Sequence, residues 1–391
     1  MLNGIFSNPT AIYFGRGMED RVGEEVAKYA TRILLHYGTG SFKISGLYDK
    51  VLASLVSAGV SIIELGGVRP NPSADLVYRG IELCRNNDIE FILAVGGGSV
   101  IDSAKAISIG VPWTGDFFDF FEGKNIPGSS LKVATILTSP GSGSESSMAA
   151  VITHDAKNLQ RTCANQVMAP VFSILNPELT YTLSNHQTSC GIVDAVTHVM
   201  ERYFTNTTFV ESTDWICEGL IRTLMKYAII VKDAPHNYDV RAEIMWAAKL
   251  AHDNTAGFGR KQDWSSHSIA HELGAIYNVI HGEAVGVIIP GWMKHVYRNN
   301  IDRFTQFARR VFDIEPDHDN PEASILLAID KFKEFLEIIG MPVTFQGMGI
   351  HEKTRFDEVA RKCVMFMPSG TIGNFVRLQP KDIANILDAI F

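Results

Sequence analysis

"FILAVGGGSVIDSAKAI", residues 91–107, decides the architecture. Phe91–Val95 is a short, unbroken apolar run, as a strand covered on both faces requires. Gly96-Gly97-Gly98-Ser99 interrupts it, and Val100–Ile107 continues as a helix. A strand that passes through glycines into a helix puts the loop at the C-terminal edge of a sheet. Glycines there let backbone amides approach an anion, and the helix N-terminus adds partial positive charge. The loop has the makings of a pyrophosphate cradle, although its spacing is not GxGxxG. A tight strand–helix turn would look the same.

Outward from this unit the first 180 residues keep its rhythm. β-rich runs recur at Ala11–Phe14, Ile33–Tyr37, Ile62–Leu65, Val133–Leu137 and Phe172–Leu175. Amphipathic stretches such as Gly46–Ala58 and Ser73–Asn86 lie between them, which predicts βαβ units and a mostly parallel sheet. Two more strands end in Gly/Ser clusters. "LLHYGTGSFKISG" supplies Gly38, Gly40 and Ser41; "ILTSPGSGSESS" supplies Thr138, Ser139, Gly143 and Ser144. Ligands of open α/β sheets bind beyond strand C-termini, so three such loops predict a nucleotide site. The strand end His36-Tyr37-Gly38-Thr39 carries no acid for a ribose 2′-hydroxyl, which leaves room for a 2′-phosphate and leans toward NADP(H).

After Pro177 long periodic segments follow at 186–203, 210–231, 238–258, 263–276, 283–298, 301–312, 321–339 and 352–365, and strand signals nearly vanish. This half reads as helical, with a boundary near 180–185. Within "GIVDAVTHVMERY" (191–203), Asp194 and His198 lie four apart on an apolar helix. "QDWSSHSIAHELGAIYNVIHGEAVG" repeats the spacing with His267 and His271 and adds His281. One continuous helix would separate His267 from His281 by about 21 Å. The two approach each other only if the chain turns near Asn278. Imidazoles with one carboxylate suit Zn²⁺ or Fe²⁺ better than Mg²⁺ or Ca²⁺. Each histidine alone reads equally as a hydrogen-bonded core residue.

Composition narrows the classes. The chain has 391 residues, 46% hydrophobic and 20% charged, as in globular proteins. Its net charge of −8 and pI near 5.8 argue against nucleic acid as a partner. No apolar run approaches a membrane span, and Met1–Gly17 does not read as a signal peptide. Five cysteines without CxxC spacing fit a reducing cytoplasm.

Taken together, "FILAVGGGSVIDSAKAI", "TSPGSGSE", "DAVTH", "HSIAHELG" and "HGEAVG", in this order, resemble the iron-containing (group III) alcohol dehydrogenases. "YGTGSFKISGLYDKV", "VRPNP" and "YDVRAEIMWAA" resemble the branch of NAD(P)H-dependent butanol dehydrogenases and broad-specificity aldehyde reductases. The resemblance spans essentially the whole chain. It implies a Rossmann-like α/β domain over 1–182 and an all-α, dehydroquinate synthase-like domain over 183–391, with the active site in the cleft between them. It also implies Asp194, His198, His267 and His281 as ligands of one Fe²⁺ or Zn²⁺ (Ni²⁺ would be accepted). His271 would line the substrate side and is a candidate proton relay. Gly97, Gly98 and Ser99 would cradle phosphate, with Asp102, a candidate catalytic residue as well as a cofactor contact, near the nicotinamide ribose, and Gly38, Gly40, Ser41, Asn71, Thr138 and Ser139 would complete the cofactor site. The reaction would be hydride transfer between nicotinamide and small or medium aliphatic alcohols and aldehydes, such as butanol and butanal, in a homodimer. The edge strand Ala11–Phe14 is a candidate dimer contact.

The chain departs from the family pattern at Ser142, often a threonine, and at Gln160 or Arg161, where many members carry a lysine near the cofactor. Two rivals remain at this point. "AHDN" offers His252-Asp253 to an HD-type metal phosphohydrolase, which would leave the glycine loops unexplained. A glycerol, polyol or sugar-phosphate dehydrogenase would share the fold. Phe258, Trp264, Met148 and Ala149 favour a neutral aldehyde, whereas Arg260 and Lys261 keep a phosphate substrate open.

Overall fold

In the computed structural model, alternate residues of strand β2 (Arg32–Gly38) enter two different apolar layers. Ile33, Leu35 and Tyr37 join Phe91, Leu93 and Val95 of β4 (Phe91–Gly97) in one layer. Leu34 joins Ile92 and Ala94 in the other. This period of two, with both faces covered, is why the strands read as continuous apolar runs. The structure describes the backbone of residues 1–391 and every side chain except that of Ser41.

The sheet adds β1 (Ala11–Phe14), β3 (Ser61–Val68), β5 (Lys132–Ser139) and β8 (Phe172–Leu175), in the order β1-β8-β5-β4-β2-β3, all parallel. Helices α1 (Val22–Ala27), α2 (Ser41–Ile44), α3 (Leu47–Ser57), α4 (Ala74–Asn86), α5 (Gly98–Gly110) and α6 (Phe118–Phe121) accompany it. α1 and α3 supply Val22, Val26, Val51 and Leu55 to the Ile33 layer. α4 and α5 supply Val77, Ile81, Ile101 and Ala104 to the Leu34 layer. All six sequence-predicted strands form. An antiparallel hairpin, β6 (Ala149–His154) with β7 (Leu159–Ala164), was not anticipated; it turns at Asn158, whose φ is +49°.

The strand order contains the reversal that makes a ligand crevice. From β2 the chain goes to β3 on one side, then returns to β4 on the other and proceeds to β5. Ligands bind outside strand C-termini at such a switch point. The three glycine loops follow β2, β4 and β5, which are adjacent in the sheet.

The later elements are α7 (Asn185–Tyr203), α8 (Glu211–Asp233), α9 (Tyr238–His252), α10 (Ser265–Tyr277), α11 (His281–Val296), α12 (Ile301–Phe312), α13 (Pro321–Ile338), α14 (Phe356–Val364) and α15 (Pro380–Ile390). α7 starts in a capping box. Ser184 Oγ accepts the Gln187 N–H at 3.1 Å, and the Gln187 side chain accepts the Ser184 N–H at 3.1 Å. The segment 238–258, expected as one helix, stops at His252, and 253–264 is irregular. Asn254 (φ +72°) and Gly259 (φ +76°) lie in that irregular stretch, where a helix cannot continue. α15 was also not anticipated.

By packing, the chain divides into two compact units: Ser7–Leu183 with His236–Met245, and Met1–Phe6 with Ser184–Pro235 and Trp246–Phe391. No helix is long and apolar enough to cross a membrane. All five cysteines are free and buried.

Candidate active site

In the helical unit, one close approach assembles the polar cluster. α10 ends at Tyr277, Asn278 takes a left-handed φ of +55°, and α11 begins at His281. This is the chain turn near Asn278 that would let His281 approach His267. Gly282 then lies so near α7 that a Cβ would stand 2.5 Å from the Cys190 carbonyl oxygen. Only glycine lets α11 come this close. Asp194, one turn beyond Cys190, therefore meets His281.

Three imidazoles converge on one oxygen. The Nε2 atoms of His281, His198 and His267 lie 3.4, 3.6 and 3.7 Å from Asp194 Oδ1. Asp194, His267 and His281 form a set whose ligand atoms are all within 4.8 Å of one another; His198 adjoins it through Asp194 and is not in that set. Asp194, His198 and His267 are 7%, 5% and 4% exposed. Yet Asp194 Oδ1 and His267 Nε2 have no hydrogen-bond partner among the described residues. Buried polar atoms left unpaired are costly, so their convergence calls for a ligand. Bonds of about 2.1 Å in a tetrahedral site separate ligand atoms by about 3.4 Å. The observed spacings fit a metal held by these side chains.

Electrostatics agree in direction. Burial pushes the Asp194 carboxyl up, but His198, His281 and His267 outweigh it and hold it well below the usual range. Burial, outweighing Asp194, drives His198 well below its ordinary value. Burial lowers His267 too, but Asp194 and Glu201 prevail and raise it to about 9. That proton is one a metal would displace.

Glu201, which supports the set, was not found from the sequence. Glu201 Oε1 accepts the His267 backbone N–H at 3.0 Å and faces His267 Nδ1 at 3.0 Å, which turns Nε2 toward Asp194. Its Oε2 accepts the Trp264 N–H at 2.8 Å. Trp264 is held with φ +70°, a strained conformation for a bulky residue. Its ring lies 5.3–5.8 Å from those of His267, His252 and His198. The Arg202 guanidinium covers it at 4.6 Å. Only spatial neighbourhood marks Glu201, since it is 66 residues from His267.

His271 stacks on His281, with centroids 5.2 Å apart, and stands 6.4 Å from His267. It flanks the convergent set and is half-buried. Of the residues read as a substrate wall, Trp264 belongs to this cluster, while Phe258 packs edge-on against Phe6. Met148 is exposed in the α/β unit. Arg260 is buried in other duties. It pairs with Asp214 Oδ1 at 2.9 Å and donates to the Arg202 and Val210 carbonyls. Asp253 pairs with Lys249 at 2.6 Å and caps Thr255 N–H, so His252-Asp253 is not the paired ligand motif of a phosphohydrolase.

In the α/β unit, Gly97, Gly98 and Ser99 sit half-buried where β4 becomes α5. Among the described residues no side chain caps the α5 N-terminus, which leaves its first amides for an anion. Glycine is also required for packing. A Cβ on Gly98 would strike Ser142, lying 2.8 Å from its Cβ, and one on Gly97 would lie 3.0 Å from Ser139 Cβ. Gly38, Gly40 and Thr138 are half-buried at the neighbouring strand ends. The Ser41 side chain lies outside the described residues. Asn71 takes φ +54° and accepts from Gln160 Nε2 at 3.1 Å. Arg161 donates to the Gln160 carbonyl. Asp102 is committed to the fold: Oδ1 accepts from Ser144 Oγ at 2.5 Å and Oδ2 from the Val151 N–H at 2.9 Å. The fold also brings an acid beside β2 that the linear reading did not place there. Glu64 accepts from the Tyr37 and Tyr48 hydroxyls at 2.7 and 2.6 Å, with Lys43 Nζ at 3.7 Å.

Comparison with known proteins agrees along the whole chain. Residues 9–177 match the iron-containing alcohol dehydrogenase family, and residues 188–391 match its C-terminal domain family. The chain is 37% identical over 389 residues to probable NADH-dependent butanol dehydrogenase 1 of Bacillus subtilis, covering 100% of both. It is 34% identical over 361 residues to the NADPH-dependent aldehyde reductase YqhD of Escherichia coli, covering 90% of both. The crystal structure of NADH-dependent butanol dehydrogenase A from Thermotoga maritima superposes with a TM-score of 0.96 at 36% identity, over 100% of this chain and 99% of that one. This chain belongs to the iron-containing alcohol dehydrogenase family, which pairs NAD(P)(H) with iron or another divalent metal, and is an oxidoreductase of the alcohol dehydrogenase and aldehyde reductase class.

Proposed function

We propose that Asp194, His198, His267 and His281 hold one divalent metal, Fe²⁺ or Zn²⁺ with Ni²⁺ also accepted, and that the enzyme interconverts small to medium aliphatic aldehydes and alcohols such as butanal and butanol. The observation that carries this reading is the convergence of three Nε2 atoms, at 3.4–3.7 Å, on a buried Asp194 oxygen with no hydrogen-bond partner among the described residues. Bound there, a metal supplies Lewis acidity that polarises a carbonyl oxygen. The chain's own residues do the rest. Glu201 orients His267. Trp264 walls the site and excludes water from it. His271, beside His281, is placed to pass a proton to the product oxygen.

On this reading residues 1–182 serve the nucleotide and residues 183–391 the metal. Gly97, Gly98 and Ser99 present amides to the pyrophosphate. Gly38, Gly40, Ser41, Asn71, Asp102, Thr138 and Ser139 complete the cofactor site. NADP(H) is favoured over NAD(H). β2 ends without an acid of its own, and Glu64 of β3 holds two tyrosine hydroxyls and faces Lys43. A neutral substrate is favoured over a phosphorylated one because Arg260 is consumed by Asp214. The active species is a cytoplasmic homodimer. The edge position of β1, paired only with β8 in the described sheet, supplies a surface for a second copy.

The test is an aldehyde screen with both cofactors on anaerobically purified protein. Butanal reduction with NADPH should show the higher kcat/KM, by about tenfold, or about 1.4 kcal/mol. A strong preference for NADH would overturn the cofactor assignment. Turnover only of phosphorylated polyols would overturn the substrate assignment.

A further inference from the structure

A metal-bound imidazole usually donates its other ring N–H to a carboxylate, carbonyl or water, which fixes the ring. His267 follows that rule through Glu201. His198 does not. Its Nδ1 is buried and has no hydrogen-bond partner among the described residues. Instead its ring lies nearly parallel to two others. The His252 centroid is 4.2 Å away at 16°, and the His267 centroid is 4.6 Å away at 14°. Rings side by side on one face at such distances would collide, so the two neighbours cover opposite faces of His198. Trp264 closes a third side, 5.8 Å from His198 and 5.7 Å from His252.

His267 is anchored independently through Glu201, so the unanchored part of this stack is His198. We propose that His252, at the C-terminus of α9, is a positioning residue for His198. It fixes the ring plane by face-on packing where a hydrogen bond is missing, and so keeps Nε2 on Asp194. The inference rests on the metal reading given above, and it assigns His252 no contact with substrate. It also explains the end of α9. The helix stops at His252, and Lys249, one turn earlier, is fastened to Asp253 at 2.6 Å, which braces the residue that carries the ring.

The test titrates Co²⁺ into the metal-free full-length protein, with a competing chelator, and records its visible absorption as a report of ligand geometry. His252→Phe keeps a flat ring. His252→Gln keeps bulk and polarity but no ring, and His252→Ala removes both. Relative to wild type, Gln and Ala should weaken Co²⁺ binding about 10- to 100-fold and change the band shape, whereas Phe should stay within about threefold and keep it. Because His252 is only partly buried, the Gln variant should fold, as circular dichroism of the metal-free form checks. Wild-type affinity and spectrum in the Gln variant, or a Phe variant as weak as Gln, would overturn the positioning role alone. Failure of the wild-type protein to bind Co²⁺ would overturn the metal reading and this inference with it.

Discussion

Each unit of this protein buries a cluster of charged side chains, and the two clusters are finished differently. Under the glycine loops, Lys105 is fully buried, but its Nζ reaches the Ser144, Ser147 and Ala149 carbonyls at 2.6, 2.8 and 2.9 Å. Asp102 beside it has both oxygens engaged. Around Asp194, in contrast, one carboxylate oxygen and the His267 Nε2 that faces it are left without a hydrogen bond among the described residues. A buried cation held by backbone carbonyls fixes a loop in place. A cluster whose open atoms point at one another, at ligand spacing, is built for something that is added.

That contrast can be broken at several points. The largest effect should follow from His267→Ala. Aldehyde reduction should fall by about 10³-fold, near 4 kcal/mol, while NADPH binding, followed by nicotinamide fluorescence, persists. Normal turnover in this variant would place the chemistry elsewhere. Lys105→Met should act on stability instead. Leaving three carbonyls and Asp102 without their cation should cost about 3–5 kcal/mol in urea unfolding of the metal-free protein. A loss under about 1 kcal/mol would mean that the Lys105 cluster is not the clamp its contacts suggest. The smallest effect should come from Glu201→Gln. It keeps one acceptor oxygen, sets an NH2 donor against the other backbone N–H, and weakens the grip on His267 Nδ1. Zn²⁺ affinity measured by chelator competition should drop about 10- to 100-fold, or about 1.4–2.8 kcal/mol. An unchanged affinity would remove Glu201 from the support of the site.

The same two clusters show what a sequence makes legible. The sheet was readable because each strand is a local apolar run closed by glycine or serine, and because the period of two acts within a few residues. The chain turn before His281 was readable because a straight helix would have stranded that histidine. Glu201 was not readable, since its partners Trp264 and His267 are 63 and 66 residues away and only packing joins them. His252 was read as half of a common dipeptide, and its stack on His198 exists only after α9 meets α7. The β6–β7 hairpin was missed although Ala149–His154 and Leu159–Ala164 flank an Asp155–Asn158 turn. Arg260 was weighed as a phosphate contact because nothing local reveals Asp214.

The central claim is that the Asp194 cluster is a metal site on which catalysis depends. The most direct measurement is metal content per chain in anaerobically purified wild type and Asp194→Asn, with butanal-dependent NADPH oxidation measured before and after chelation. One Fe²⁺ or Zn²⁺ per wild-type chain is expected, none in Asp194→Asn, and activity that leaves with the metal and returns when it is restored. Undiminished butanal reduction by metal-stripped protein would contradict the account.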